Sequence, residues 1–508
     1  MKKIFLILFL LIGVMSFSDE ESQLSEENVI SLSVEEGGDA YSDFSVSDTE
    51  GLVSKMIQNM VSPVTGDLIL YEMDMVLEGP EPIYLDRLYN SSNETNCHYL
   101  GKGWSFLPLC EYHQDIDKGY FKTQSGTQLC FENKARRKKD KAQYKLAKPK
   151  GFTNCNGKIS AQTNLKNLEL IPLKGERYFN KATIKDGANR IINLESNYAP
   201  SKQDFLTKEI INPNQTCIGF KHSLHAPYAI FATDASKKLT YSHIQFFLAD
   251  AKLLKKKKLN LPLTEDVLYL AESSNELMTS YSLKQAVDYL HPENSEFFLW
   301  NVSSSEKAEQ KYRYNNEKKI AKVQKGNRFL EVDYYKPGLN LVSVTPIYVA
   351  EKDIRDGKVS CLKAPVGHDL TPIHICHIFY DQDITYAFDA YNRKTTYHFL
   401  EKDQRVRQVV RYVGKENHQL YSTEEYHWGS KYTPDEGNIL AKCWKNSEGI
   451  IQKGVFFTYD ERGNILDERI YGNISGQCPI PVAIENKRVI PNGCESFGKK
   501  CAYSGDGY

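Results

Sequence analysis

The chain has 508 residues, and its 64 Lys and Arg nearly balance 65 Asp and Glu, for a formal net charge of −1. Hydrophobic residues are 41% and charged residues 25%, which excludes a polybasic nucleic-acid binder, a multi-span membrane protein and a fully disordered chain. Tyrosine dominates the aromatics, 32 against 4 Trp; its ring packs on a pleated surface while its hydroxyl reaches water, so composition leans towards β-structure.

Residues 1–18 read as a secretory signal peptide. Lys2 and Lys3 precede the apolar run Ile4 to Met15, too short for the roughly 20 residues of a membrane-spanning helix, and Ser16 and Ser18 suit cleavage after Ser18. Removing two Lys takes the net charge from −1 to −3. No other stretch is long and apolar enough to cross a membrane as a helix, so the expected location is outside the cytoplasm, secreted or at the cell surface. Residues 19–55 form an acidic leader, with eleven acids and no Lys or Arg between Asp19 and Glu50. Order is expected from Met56.

Leu68 to Val76 and Ile83 to Tyr89 alternate as strands around the Gly79-Pro80 break. Gly103 to Phe106 and Gly126 to Phe131 continue the pattern. Nine basic residues and one acid lie between Lys134 and Lys150, and four lysines follow at Lys255 to Lys258. Without aromatic platforms beyond Tyr144 these read as solvated loops, and no nucleic-acid partner is expected. Residues 263–290 fit either a helix or two strands with a connecting loop, because Ser-Ser-Asn interrupts the apolar spacing.

The second half repeats itself. Asp435-Glu436-Gly437-Asn438-Ile439-Leu440 recurs 26 residues later around Gly463-Asn464-Ile465-Leu466, with Tyr432 and Tyr459 ahead of the two copies. Weaker copies lie at Phe388 to Arg393 and Thr233 to Lys238. Each copy reads as a β-hairpin: an aromatic ends one strand, Asp opens the turn, and Gly437, Gly463 or Asn392 takes the left-handed position. Stacking hairpins buries the face that one alone leaves open.

Tyr459-Asp460-Glu461-Arg462-Gly463-Asn464-Ile465-Leu466 resembles the YD repeat of RHS-repeat proteins. Thr65-Gly66, Glu72 to Leu77, Gly79 to Pro82, Arg87 to Ser91, Gly103-Trp104 and Ser125 to Phe131 resemble, in order, the domain that opens many bacterial RHS proteins. The resemblance implies an all-β fold, in which antiparallel hairpin repeats form an extended, curved sheet, part of a hollow shell. It divides the chain into an RHS-type opening domain at 56–170 and a degenerate repeat region at 171–508. In polymorphic toxins such a shell encloses a toxic enzyme; here no self-cleaving core and no C-terminal toxin domain are recognised, and the chain reads as the opening part of a shell.

Candidate chemistry is sparse. His374 and Cys376 are expected on one strand face and His377 on the other, two ligands short of a closed metal site. Asp381, Asp383 and Asp389 read as turn residues. His222, His225 and His291 have no supporting motif. No catalytic, cofactor or metal residue is assigned, and no cofactor is expected. The eleven cysteines are an odd number without CxxC spacing, so at least one thiol lacks an intramolecular partner. The expected function is an exported, non-enzymatic β-repeat protein for encapsulation, adhesion or toxin delivery. Alternatives are a glycan-binding surface module and an exported hydrolase built on His374 and Asp381. The expected partners are a second copy or another chain completing a sheet edge, with Cys494 and Cys501 available for pairing, or a surface glycan.

Overall fold

The structure is a computed structural model that describes residues 56–93, 96–97, 100–107, 111–114, 118–122, 128–133, 144–146, 169–171, 181–185, 189–195, 204–223, 226–249, 267–286, 296–305, 307–336, 354–365, 371–399, 406–414, 418–429, 439–459, 465–472, 482–485 and 488–491. The expected signal, leader, both lysine-rich runs apart from 144–146, and the repeat turns at Gly437 and Gly463 lie outside these residues. The fold is all-β and antiparallel, as expected; among the described residues there is no helix. The described residues divide into two compact units, 67–327 and 56–66 with 328–491. The expected boundary at 170/171 falls within the strand Glu169–Ile171 of the first of these.

In the 67–327 unit, Ile69–Leu77, Ile83–Asn90 and Trp104–Leu107 make a three-stranded opening sheet. A bulge between Met73 and Met75 leaves Asp74 as the extra residue, which re-aims its side chain. Most of the rest of the unit is a ladder of successive hairpins from Lys181–Lys185 to Ile320–Lys325, each strand antiparallel to a sequence neighbour. Burial alternates along its strands, as in Lys181–Lys185 and Ile191–Glu195, so one face is apolar. The opening sheet contributes Trp104 and Phe106 to the ladder's core: Trp104 meets Tyr312 edge-on at 5.1 Å, and Phe106 meets Phe246 at 5.5 Å and Tyr281 at 5.8 Å. Backbone also closes on backbone. Gly101 pairs with Phe298 at a φ of 75°, and a Cβ there would lie 2.3 Å from the Phe297 carbonyl oxygen.

The other unit is a second ladder, from Arg328–Tyr334 through Val359–Pro365, Pro372–Tyr380 and Ile384–Asp389 to Ile465–Gly472. Met56 to Gly66 packs into it: Met56, Ile57, Val61 and Val64 are buried, Thr385 Oγ1 donates to the Pro63 carbonyl at 2.6 Å, and Val359 N donates to Gly66 O at 2.9 Å.

One turn recurs through both ladders. At Asn212, Ser273, Asn315, Asp389 and Asn446 the N–H three residues on donates to the opening residue's carbonyl at 2.9–3.1 Å, and the opening N–H donates to the carbonyl four residues on at 2.8–3.1 Å. The fourth residue is left-handed each time: Gln215, Glu276, Lys318, Asn392 and Gly449, with φ between 58° and 80°. Asp234 opens a version one residue longer, with Lys237 at φ 59°. This is the three-residue hairpin loop in which a type I turn is followed by a left-handed residue. The opening side chain secures it. The Oδ1 of Asn315, Asp389 and Asn446 each accepts two backbone N–H groups at 2.8–3.0 Å, and Ser273 Oγ accepts two at 3.0 and 3.2 Å. Asn392 therefore occupies the left-handed position expected of it. Residues 263–290 resolve as the strands Val267–Ser273 and Met278–Ala286, and the Ser-Ser-Asn that breaks the helical spacing is this loop.

Candidate functional site

The most elaborate polar cluster in the 67–327 unit sits under the opening sheet. Arg87 is fully buried; its Nε donates to Asp74 Oδ2 at 2.6 Å, Nη2 to Gln310 Oε1 at 2.6 Å and Nη1 to Tyr312 Oη at 3.1 Å. Its guanidinium also lies 4.7 Å from the Trp104 ring centre. Tyr281 Oη donates to the same Asp74 oxygen at 2.8 Å, and Lys325 Nζ reaches Glu72 at 2.7 Å. Burial works against the Arg87 cation, but Asp74, Tyr312 and Glu72 together hold it well above its ordinary value. Burial pushes the Asp74 carboxyl up, opposed by Arg87, whose Nε lies 2.6 Å from Asp74 Oδ2. These contacts tie Asp74 and Arg87 of the opening sheet to Tyr281, Gln310 and Tyr312 of the ladder, so the cluster is a clip joining the two.

The sequence-selected histidines sit in the other unit. Pro372–Tyr380 pairs with Val359–Pro365 across a register shift between Leu362 and Lys363, so that Cys361 faces His377, Leu362 faces Cys376 and Lys363 faces His374. Ile375 is the additional residue. This bulge corrects the expected facing: His374 and His377 share a face, their rings stacked 4.4 Å apart, and Cys376 turns into the core. The partner that sequence spacing does not supply is Cys361, whose Sγ lies 3.0 Å from His374 Nδ1. Cys361, His374 and His377 bring their ligand atoms within 4.8 Å of one another. A thiol–imidazole pair can serve as a nucleophile when the thiol ionises. Here burial, aided by Asp333, pushes Cys361 up to about 11, and burial then the His374 ring lower His377. The Cys361 thiol therefore keeps its proton near pH 7, and the Cys361–His374 contact is a hydrogen bond at rest.

Asp381 does not join this cluster. It lies in the turn after Tyr380, about 23 Å along the strand from His374 at the usual rise per residue, and its Oδ1 accepts from Gln382 N at 2.8 Å. Asp389 is committed to its turn and to Arg393, at 2.6 Å. The arrangement the hydrolase alternative requires, His374 beside Asp381, is thus not formed. His222 stacks near Phe220 and its Nε2 meets Thr207 O at 2.5 Å; burial lowers its pKa. His225 and His291 lie outside the described residues. Cys217, Cys361, Cys376 and Cys443, the cysteines whose side chains are described, are all free thiols.

A groove of about 450 Å³ in the 67–327 ladder is lined by Lys284, Trp300, Lys311, Arg313 and Lys322 together with the buried Phe298 and Tyr312. Lys284 Nζ covers the Trp300 ring at 4.4 Å, so that aromatic face is already occupied.

Residues 58–131 match a family described as a domain of unknown function, DUF6531. No curated protein matches the sequence. Among solved structures, a Photorhabdus luminescens Tc holotoxin pore is 9% identical over 74% of this chain and 20% of its own, with a TM-score of 0.30. The TcdB2–TccC3 crystal structure is 10% identical over 82% of this chain and 23% of its own, at 0.28. The N-terminal domain of the effector SpvB from Salmonella typhimurium strain LT2 is 11% identical over 74% of this chain and 98% of its own, at 0.20. The chain thus spans between a fifth and a quarter of the length of the first two. Likenesses at this level fix neither fold nor function, and the architecture rests on the strands and turns above.

Proposed function

We propose that the chain is an exported, non-enzymatic β-repeat scaffold of the RHS type that encloses a cargo. One observation supports this reading above the others. Among the described residues, several that carry the RHS resemblance hold an opening segment to the ladder of its own unit. Thr65-Gly66 turns the segment that packs on Val359, Glu72 and Asp74 lie on the first opening strand, Arg87 is the centre of the clip, and Trp104 fills the core beside it. A motif whose members are spent on internal hydrogen bonds and packing serves architecture.

The test is protease protection. A folded reporter enzyme fused after Tyr508 is expected to survive added protease much longer than the same enzyme on a Gly/Ser tail. Equal rates of digestion overturn the enclosing role. Export is checked separately by joining residues 1–18 to a reporter that becomes active only outside the cytoplasm, where activity is expected.

A further inference from the structure

A second cluster of metal-ligating types lies in the 328–491 ladder, away from His374. Gln419–Trp428 pairs with Ile439–Asn446 so that Glu425 faces Cys443 directly and His427, two residues on, shares their face. We propose that Glu425, His427 and Cys443 form a site for a divalent transition metal of the zinc class, with solvent as the fourth ligand.

Four observations carry the assignment. The donor set is one sulfur, one imidazole nitrogen and one carboxylate oxygen, the types that zinc accepts in tetrahedral sites. The ligand atoms already lie near their required separations. With zinc bonds of about 2.3 Å to sulfur and about 2.0–2.1 Å to nitrogen and oxygen, the tetrahedral S···O edge is about 3.6 Å and the N···O edge about 3.4 Å. The structure has Cys443 Sγ at 3.6 Å and His427 Nε2 at 4.0 Å from the same Glu425 oxygen, Oε2.

His427 Nε2 is also buried with no hydrogen-bond partner. A polar atom in that position is costly, and a metal ion would satisfy it. Finally, the outer contacts orient the carboxylate. Lys445 Nζ at 2.7 Å and Gln408 Nε2 at 3.3 Å both donate to Oε1, leaving Oε2 for the cluster. On the far side Cys443 faces Gly454, which carries no side chain. The Cys361 cluster is the weaker candidate, because neither His374 nor His377 presents a buried ring nitrogen without a hydrogen-bond partner. Binding replaces the Cys443 S–H proton, which passes to solvent, with the S–metal bond.

The test uses the full chain, reduced and stripped of metal, titrated with Co²⁺. A thiolate-to-cobalt charge-transfer band is expected, competed away by Zn²⁺. It should vanish in Cys443→Ser, persist in Cys361→Ser, and require at least about tenfold more Co²⁺ in His427→Ala and Glu425→Gln. If Cys443→Ser does not fold, the last two variants, at partly exposed positions, decide the matter. The site is overturned if no band forms, if it is unchanged in His427→Ala and Glu425→Gln, or if it follows Cys361 instead. None of these outcomes bears on the enclosing role, which is read from protease protection alone.

Discussion

At the residue scale the hairpin loops separate two contributions that usually travel together. Asn446 supplies two side-chain hydrogen bonds to the backbone of its loop, whereas Gly449 supplies only a left-handed backbone, with no atom within 4 Å of where its Cβ would be. Asn446→Ala is expected to cost about 1–2 kcal/mol in denaturant melts through the lost bonds. Lys318 holds the same left-handed place at φ 64° with a side chain that resists it, so Lys318→Gly is expected to stabilise by about 0.5–1 kcal/mol, an opposite sign in the same assay. A loss of stability in Lys318→Gly would mean that its side chain contributes more than its backbone costs.

A second residue gives the fold a pH dependence. Asp86 has one oxygen bonded to Tyr71 Oη at 2.5 Å and the other buried without a partner. Burial raises its pKa to about 7, with Tyr71 opposing and Asp74 adding to the rise. The folded state therefore holds a proton that the unfolded state, near the ordinary carboxylate value, has released. The associated stability is complete below about pH 4 and is lost as pH rises through about 7. Asp86→Asn should match the wild type near pH 4 and exceed it by about 1–3 kcal/mol at pH 8; parallel stability curves would show that Asp86 is ionised throughout.

At the scale of elements, the β-character and the hairpin unit are legible in the sequence, because Tyr-rich alternation and an Asp-led turn are local signals. Most copies of the unit are not. The loop accepts Asp, Asn or Ser at its opening and Gly, Asn, Lys, Gln or Glu at its left-handed place, so identity dissolves while the hydrogen bonds persist at Asn212, Ser273, Asn315 and Asn446. Bulges are equally hidden. Nothing local announces that Ile375 is the additional residue, and that one insertion brings His374 and His377 together against Cys361. The clip is hidden for another reason: Arg87 stands in a motif, but Gln310 and Tyr312 are more than 220 positions away. Arg87→Ala leaves the buried Asp74 carboxylate without its cation and should destabilise by about 3–5 kcal/mol. The loss should concentrate in the opening sheet, as faster hydrogen exchange at Ile69–Leu77 than in the 328–491 ladder.

At the scale of the molecule, each ladder is a run of sequence-neighbouring hairpins. In such architectures stability is close to a sum over neighbours, so damage stays local. The two units should respond separately: Asn446→Ala is expected to speed hydrogen exchange around Ile439–Asn446 while leaving Val267–Ser273 unchanged.

The clip also imposes an order in time. Asp74 and Arg87 leave the ribosome early, yet their partners Tyr281, Gln310 and Tyr312 emerge some two hundred residues later. The intervening hairpins can form as they appear, because their pairings are short-range, whereas the opening sheet must wait as an unfinished surface. Stalled nascent chains should therefore stay protease-sensitive near residue 80 until Lys325 has cleared the exit tunnel, and then become resistant in a single step. The opening sheet is made before the 67–327 ladder yet is locked only when that ladder is nearly finished, which makes the clip a checkpoint on the length of chain already completed.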